Sequence, residues 1–186
     1  MEIRQLEREA YEGTPFTARY ETGGAYEICA AEDWFRMRYV PFDAPVQKSF
    51  DDAFFAPWLE EPAAFGAFER ERLLSFIEGS PERWNHRFRI SSLSVFDRAS
   101  RGRGIGTALM KAIRVEAEAL GARMPVLETQ SCNEAAIAFY RKCGFAIIGF
   151  DLYAYSNADP EWHEVRVKMG KRLERDAERK TEEDAQ

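Results

Sequence analysis

The sequence has no long hydrophobic run, and this absence limits where the protein can work. A helix that spans a bilayer needs roughly 20 consecutive apolar residues. No stretch of the 186 residues approaches that length. The first residues, Met1 to Gln5, also lack the apolar segment of a secretory signal. We therefore expect a cytoplasmic protein without a membrane partner.

Cysteine is scarce as well. The three cysteines, Cys29, Cys132 and Cys143, are widely spaced and form no C-x-x-C pair of the kind found in zinc sites or redox centres. We expect free, reduced thiols and no metal site. Neither Cys132 nor Cys143 has a histidine nearby in the sequence that would make it a nucleophile, so both are interpreted as packing residues.

Positive charge is not in excess. The formal net charge is -6, whereas binding to nucleic acid depends on clustered lysine and arginine. The acidic balance argues against a nucleic-acid partner and suits a cationic one. Hydrophobic residues make up 45% of the chain and charged residues 31%, which is typical of a globular protein. We expect one domain over residues 1–173 with its core at 63–169, followed by a charged tail at 174–186.

The first half of the chain contains strand patterns. Strand-like stretches cover 16–21, 26–30 and 34–40, with the turn formers Gly23 and Gly24 between the first two. Residues 41–62 are rich in Pro, Asp and Phe, which predicts a loop with a short helix that could shape a substrate pocket.

A predicted hairpin with arms at 63–68 and 73–78 leads into a third strand at 88–96. The alternation of apolar residues in that strand slips by one between Ile90 and Leu93. An extra residue reverses the faces that side chains occupy, so the slip predicts a β-bulge beside Ser91 and Ser92.

The second half alternates helix and strand. Apolar residues recur at helical spacing from Ile105 to Leu120 and stop at Gly121. A strand at 126–130 precedes a helix opened by Asn133 and closed by Gly144. Further strands are predicted at 146–155 and 163–169. This order predicts a mixed α/β sheet.

A glycine-containing motif, Arg101-x-x-Gly104-x-Gly106, lies between a predicted strand and a predicted helix. Free backbone N–H groups and the helix dipole favour an anion there, and glycine lets phosphate oxygens approach the backbone. A Rossmann motif would need glycine where Thr107 stands, and the G-K-[S/T] of a Walker loop is absent. An isolated string of this kind is equally compatible with a tight strand-to-helix turn.

The motif after a bulged strand resembles the acetyl-CoA pyrophosphate loop of the GNAT N-acetyltransferases. A second segment, Asn133 followed by Phe139-Tyr140 and Gly144-Phe145, resembles the N-x(5)-F-Y-x-x-x-G-F cofactor segment of that family. The resemblance covers roughly 63–169. It implies an α/β (α+β) fold with a mixed, mostly antiparallel central sheet, a bulged and splayed strand pair, and flanking helices.

Two further segments resemble the streptothricin acetyltransferases. They are Leu127-Glu128-Thr129-Gln130 before Asn133, and Cys143-Gly144-Phe145 with Gly149-Phe150-Asp151-Leu152-Tyr153. This resemblance implies transfer of acetyl to an amine on the β-lysine part of a cationic antibiotic, which confers resistance. Polyamine, aminoglycoside and protein amines stay open as acceptors, as does a non-catalytic acyl-CoA sensor. A monomer and a homodimer are both compatible with the sequence.

The resemblance also implies a set of cofactor contacts. Backbone groups of the bulged strand would bind the pantetheine arm, with an N–H near Val95 for the developing oxyanion. The full implied set is Leu93, Ser94, Val95, Arg101, Gly102, Arg103, Gly104, Ile105, Gly106, Thr107, Asn133, Ala136, Phe139 and Tyr140.

Two residues are implied as catalytic. Tyr140 matches the family tyrosine near the cofactor sulfur and is the expected general acid, although an ordinary half-buried aromatic would look the same by position. Glu128 could deprotonate the incoming ammonium through water, orient the cation, or serve as a structural partner. Many family members place a glutamate where this chain has Ser91 and Ser92. His86 could also relay a proton, and an incidental histidine before a strand is the alternative.

An acidic and aromatic segment follows the N-terminal strands. Its residues could form a wall for a polycationic acceptor, and a solvated loop is the alternative. The segment comprises Asp51, Asp52, Phe54, Phe55, Trp58, Glu60 and Glu61.

Overall fold

The computed structural model describes residues 1–31, 33–96, 100 and 102–173. The chain groups into two compact units. The first contains Met1–Ala18, Asp51–Leu127 and the described residues from Lys171, and the second contains Arg19–Phe50 and Glu128–Gly170. The predicted tail at 174–186 lies outside the described residues.

Nine strands and three helices are assigned within these ranges. In chain order they are β1 (Glu2–Gln5), α1 (Arg8–Tyr11), β2 (Pro15–Ala31), β3 (Trp34–Ala53), β4 (Ala63–Glu69), β5 (Arg72–Glu82), β6 (Arg87–Val95), α2 (Ile105–Ala119), β7 (Met124–Gln130), α3 (Glu134–Lys142), β8 (Ala146–Asp151) and β9 (Arg166–Gly170).

Seven of the strands form a mixed sheet in the hydrogen-bonded order β1-β4-β5-β6-β7-β9-β8. The registered pairs β1–β4, β4–β5, β5–β6 and β8–β9 are antiparallel, and β6–β7 is parallel. This confirms the mixed, mostly antiparallel sheet with helices that the sequence predicted. The predicted hairpin, the β6 strand and both long helices are also confirmed, whereas β1 and α1 were not predicted.

The core of the first unit is aromatic. Phe76 is fully buried in β5, and its ring centroid lies 4.3 Å from that of Phe54 and 4.9 Å from that of Phe16. Burying each such side chain contributes roughly 1.5–3 kcal/mol. Helix α2 covers the sheet with a buried stripe that includes Leu109 and Ile113, and it ends where Gly121 adopts a φ of 72°.

The second unit contains most of a two-stranded ribbon made by β2 and β3. Two predictions are wrong here. Residues 41–53 continue strand β3 instead of forming a loop with a short helix, because a two-stranded ribbon leaves each strand an open edge where proline is tolerated. Gly23 and Gly24 lie within β2 and make no turn: a Cβ on Gly24 would be 2.5 Å from the Val40 carbonyl oxygen, so glycine permits close strand contact.

Helix α3 of the second unit begins and ends as predicted. The Asn133 side chain accepts a hydrogen bond from the Ala136 N–H at 3.2 Å, and Gly144 has a φ of 87°. The strands that follow are shorter than predicted, since β8 ends at Asp151 and β9 begins at Arg166.

Candidate active site

Strand β6 carries the predicted bulge. Ser92 pairs with Glu78 of β5 and Ile90 pairs with Gly79, so Ser91 is the extra residue. The parallel register with β7 runs from Arg87 to Ile90 and ends there. In the described part of the chain, Leu93, Ser94 and Val95 are registered only with β5. Their other backbone edge can bind an extended chain as an added strand would.

The glycine loop opens helix α2. Gly102 and Gly104 have φ values of 76° and 79°, and a Cβ on either would meet no atom within 4 Å. Gly104 is the N-cap and supplies no side-chain hydrogen bond to the helix. The first N–H groups of a helix have no partner within the helix, so this open glycine loop at the start of the 15-residue α2 fits a diphosphate.

Of the two arginines that flank Gly102, Arg103 lies within the described residues. Arg103 makes a 3.2 Å ion pair with Glu69, and both side chains are about half exposed. Such a surface pair contributes little free energy, so Arg103 can exchange it for a phosphate. Arg101 lies outside the described residues. Gly106 is half-buried and Thr107 is exposed at the helix start.

A buried carboxylate lies beside the bulge, and it is not among the predicted site residues. Glu78 is 2% exposed. It accepts hydrogen bonds from the Phe55 N–H at 2.7 Å and from the Ser91 hydroxyl at 3.4 Å. Burial raises the pKa of Glu78 to about 6, with Asp52 adding to the rise and the two hydrogen bonds opposing it. A glutamate at an inward position of an apolar strand was the available signal.

The predicted acidic and aromatic wall is partly buried and partly exposed. Phe54 and Phe55 are buried in the core of the first unit, at 3% and 2% exposure. Trp58 is exposed, as are the four acidic residues of the segment. Asp51 accepts a 2.6 Å hydrogen bond from Thr17. Trp58 and the carboxylates are therefore the members of this segment that a ligand can reach, although Glu61 also pairs with Arg83.

In the second unit, helix α3 places Tyr140 among aromatic rings. Its side chain is buried, with ring centroids 5.5 Å from Phe139 and 6.2 Å from Phe145. Burial raises the pKa of Tyr140 above its ordinary value, with Cys143 adding to the effect. The phenol is therefore protonated at neutral pH and can donate. The predicted contacts Asn133, Ala136 and Phe139 are half-buried on the same helix.

Glu128 is paired with two cations of the second unit. Its Oε2 lies 3.4 Å from Nη1 of Arg166, and its Oε1 lies 3.9 Å from Nζ of Lys168. The Arg166 guanidinium also stacks 4.9 Å from the ring centroid of Tyr155. Both oxygens of this carboxylate therefore already face a cation of the second unit.

A polar cluster surrounds Cys132 in the second unit. The Tyr20 hydroxyl donates to Gln130 at 2.5 Å and lies 3.3 Å from the Cys132 sulfur. Burial raises the pKa of the Cys132 thiol, although the Tyr20 contact and the charge of Lys48 oppose the rise. Lys48 itself is paired with Glu164 at 2.5 Å. This neutral, buried thiol agrees with a packing role.

The remaining candidate, His86, lies in the turn before β6. His86 is an exposed turn residue with a φ of 53°, and its carbonyl accepts from the Arg123 N–H. Among residues 1–31, 33–96, 100 and 102–173, no group of three or more His, Cys, Asp or Glu side chains is arranged to hold a metal ion. No helix in these ranges is long and apolar enough to cross a membrane.

A mixed sheet with a bulged strand, a glycine loop at the start of the following helix and a buried tyrosine on the next helix is the architecture of a GNAT N-acetyltransferase. The chain belongs to the acetyltransferase (GNAT) family, whose sequence model matches residues 30–145. It is an enzyme that uses acetyl-CoA to acetylate amines.

Two proteins of similar sequence are streptothricin acetyltransferases. A streptothricin acetyltransferase of Streptomyces lavendulae is 32% identical over 168 residues, which is 85% of this chain and 86% of that protein. One from Escherichia coli is 34% identical over 99 residues, which cover 52% of this chain and 54% of that protein.

Solved structures are also similar. A nourseothricin acetyltransferase has a TM-score of 0.76 at 27% identity, with 92% of this chain and 97% of that chain covered. A Bacillus anthracis protein described as a streptothricin acetyltransferase, crystallised with acetyl coenzyme A, has a TM-score of 0.68 at 23% identity, covering 92% of this chain and 98% of that one.

Proposed function

We propose that this enzyme acetylates a primary amine of a streptothricin-type antibiotic and thereby confers resistance. The observation that carries the proposal is similarity along most of the chain: the Streptomyces lavendulae streptothricin acetyltransferase matches 85% of it. By contrast, a solved aminoglycoside 6'-N-acetyltransferase covers 60% of this chain at 22% identity, which supports the common fold alone.

The charge of the chain suits such an acceptor. A net charge of -6 attracts a polycation, and the segment that contains exposed Trp58 also contains four exposed carboxylates, Asp51, Asp52, Glu60 and Glu61. Carboxylates and an aromatic face are the groups that bind alkylammonium ions. In the proposed scheme Glu128 orients a cationic group of the acceptor.

Acetyl-CoA supplies the activated acetyl group as a thioester. In this scheme the N–H groups from Gly104 to Thr107 and the Arg103 side chain hold its diphosphate. The free edge of Leu93 to Val95 pairs with its pantetheine arm, and the Val95 N–H donates toward the acetyl oxygen. Asn133, Ala136 and Phe139 of the second unit line the cofactor. Tyr140 donates a proton to the departing sulfur.

The scheme requires no covalent enzyme intermediate. Holding an amine beside a thioester replaces a collision in solution and supplies much of the rate acceleration. Because acetyl-CoA is an intracellular metabolite, we place the reaction in the cytoplasm. Acetylation removes a positive charge from the acceptor amine. The acetylated antibiotic would therefore bind less tightly to any target that recognises it by charge.

The test is a panel of acceptors. The purified enzyme is incubated with acetyl-CoA and, separately, with streptothricin, spermidine, an aminoglycoside and a lysine peptide, while thiol release and product mass are followed. We expect one added acetyl group on streptothricin and a kcat/KM about 100-fold above the other acceptors, or about 2.7 kcal/mol of discrimination. A higher kcat/KM for spermidine, the aminoglycoside or the peptide would overturn the acceptor assignment.

A cellular measurement tests the resistance role separately. Expression of the wild-type enzyme in a susceptible bacterium should raise the inhibitory concentration of streptothricin, and expression of the Tyr140→Phe variant should raise it much less. Equal protection by the two proteins would count against acetyl transfer as the cause.

A further inference from the structure

Glu78 is a buried ionisable group that the scheme above does not use. It lies in β5 of the first unit, opposite Ser92 and adjacent to the extra residue Ser91 of the bulge. The bulge is where β6 stops pairing with β7, just before the edge assigned to the pantetheine arm. Among the described residues Glu78 makes no ion pair, and burial of a charge without a cationic partner costs free energy.

The groups around Glu78 are known from three strands. Strand β4 presents Ala64 in register with it, and β6 presents Ser92. In the part of the chain that the structure describes, the charged group that raises its pKa is Asp52 of β3, which is also acidic. With burial and a like charge both favouring the protonated form, the pKa of about 6 lies where a carboxyl group can both accept and release a proton near neutral pH.

Ser91 connects this carboxyl group to the bulge. Its half-buried hydroxyl lies 3.4 Å from Oε2 of Glu78 and 3.2 Å from the Glu78 carbonyl oxygen. Its single hydrogen is shared between these two acceptors, and the lone pairs of the hydroxyl oxygen stay available to another donor. An ammonium N–H is such a donor, so Ser91 can receive one proton as it passes its own to Glu78.

We propose that Glu78, acting through the Ser91 hydroxyl, is the proton acceptor for the ammonium group of the acceptor. This inference rests on the proposed transfer to a primary amine, but not on which amine it is. Glu78 is therefore a positioning and proton-holding residue, and Ser91 is the group that touches the acceptor. Glu128 is less suited to this role, because Arg166 and Lys168 pair with both of its oxygens.

The proton and bond changes balance. One ammonium proton passes to Ser91 while the Ser91 proton passes to Glu78. The amine lone pair then forms the C–N bond to the acetyl carbon as the C–S bond breaks. Tyr140 gives a proton to the sulfur, and the second amine proton restores Tyr140 through solvent. Glu78 returns its proton to solvent, so each ammonium yields one amide, one thiol and one released proton.

The experiment measures single-turnover rates from pH 5 to 9 for the wild-type enzyme and for Glu78→Gln, Ser91→Ala and Ser92→Ala. Glutamine keeps an oxygen that accepts from the Phe55 N–H but does not titrate. In the wild-type enzyme we expect the rate to fall below about pH 6. In Glu78→Gln that acidic limb should vanish and the rate at pH 7.5 should fall about 100-fold.

The two serine variants form a matched pair at the bulge. Ser91→Ala should slow the reaction about 10-fold or more, whereas Ser92→Ala, which removes a hydroxyl one residue away, should stay within about threefold of the wild-type rate. Unchanged acetyl-CoA affinity and melting temperature show that the fold and cofactor site persist. This pair tests the relay even if Glu78→Gln fails to fold, because it leaves the carboxyl group in place.

Two results would overturn the inference. One is an acidic limb that persists at full rate in Glu78→Gln, and the other is equal losses in Ser91→Ala and Ser92→Ala. Should the enzyme acetylate another amine of the panel and not streptothricin, the acceptor proposal fails alone. The same four proteins are then compared on that amine, and their rates decide the role of Glu78.

Discussion

The Glu78 carboxylate accepts a 2.7 Å hydrogen bond from the backbone N–H of Phe55, whose φ of 53° lies in the left-handed region. That backbone conformation costs a residue other than glycine roughly 1–3 kcal/mol. The Phe55 side chain offsets the cost through its burial at 2% exposure. The Glu78 carboxyl group thus binds the start of the segment after β3 and also lies beside the bulge. Its protonation is therefore linked to the stability of the first unit.

The stability of the protein should therefore depend on pH through Glu78. The folded pKa of about 6 lies above the ordinary value of 4.5. The folded state binds the proton more tightly, so this contribution is complete below about pH 4.5 and is lost as pH rises through 6. A difference of roughly 1.5 pKa units corresponds to about 2 kcal/mol.

Urea unfolding of the wild-type protein and of Glu78→Gln measures this contribution. Between pH 4.5 and 7.5 the free energy of unfolding of the wild type should fall by about 2 kcal/mol relative to the variant, since the other carboxyl groups cancel in the difference. A difference that is constant across this range would show that Glu78 titrates normally.

Gly104→Glu should abolish acetyl-CoA binding. Open space surrounds the missing Cβ, so the new side chain meets no atom there. The positive φ still strains it, and it brings negative charge to the helix start proposed to hold a diphosphate. Gly121→Glu is the matched control, because that glycine also has a positive φ, 72°, with no atom within 4 Å of a Cβ, at the other end of α2. By calorimetry we expect at least a 100-fold loss of affinity for Gly104→Glu and less than a threefold loss for the control.

Tyr140→Phe should lower kcat about 100-fold and leave acetyl-CoA affinity within about threefold. Phenylalanine keeps the ring contacts with Phe139 and Phe145 and removes only the proton donor. Tyr153→Phe removes a phenol from an exposed tyrosine and should leave kcat unchanged. If kcat of Tyr140→Phe equals that of the wild type, the assignment of Tyr140 as general acid is wrong.

Local sequence signals predicted the elements that have their own start and stop residues. Gly121 ends α2 and Asn133 opens α3, and both act within one helical turn. The bulge was predictable because an inserted residue shifts the apolar alternation at Ser91. The long ribbon was not predictable. Gly24 permits close contact with Val40 of the other strand, and a sequence does not show which residues of two strands will lie next to each other.

In the candidate site, too, the sequence predicted the features with local signals and did not predict those that depend on distant residues. The glycine loop and Tyr140 belong to contiguous motifs, so a resemblance could find them. Glu78 belongs to none: its environment comes from Phe55, Ser91 and Asp52, which lie 23, 13 and 26 positions away in the chain. A raised pKa is a property of burial among distant residues, and composition alone does not contain it.

Gly24→Ala tests the close approach within the ribbon. An alanine Cβ would lie 2.5 Å from both the Val40 carbonyl oxygen and the Tyr39 hydroxyl, and the backbone oxygen cannot move without disturbing β3. Gly149→Ala is the control in the same unit, since its Cβ would meet no atom within 4 Å, its φ is not positive, and alanine is favoured over glycine within a strand. By urea unfolding we expect Gly24→Ala to lower the free energy of unfolding by about 2 kcal/mol and Gly149→Ala to leave it unchanged or raise it slightly. Equal stabilities would mean that the two strands of the ribbon can separate at Gly24 without cost, and that the glycine is there for another reason.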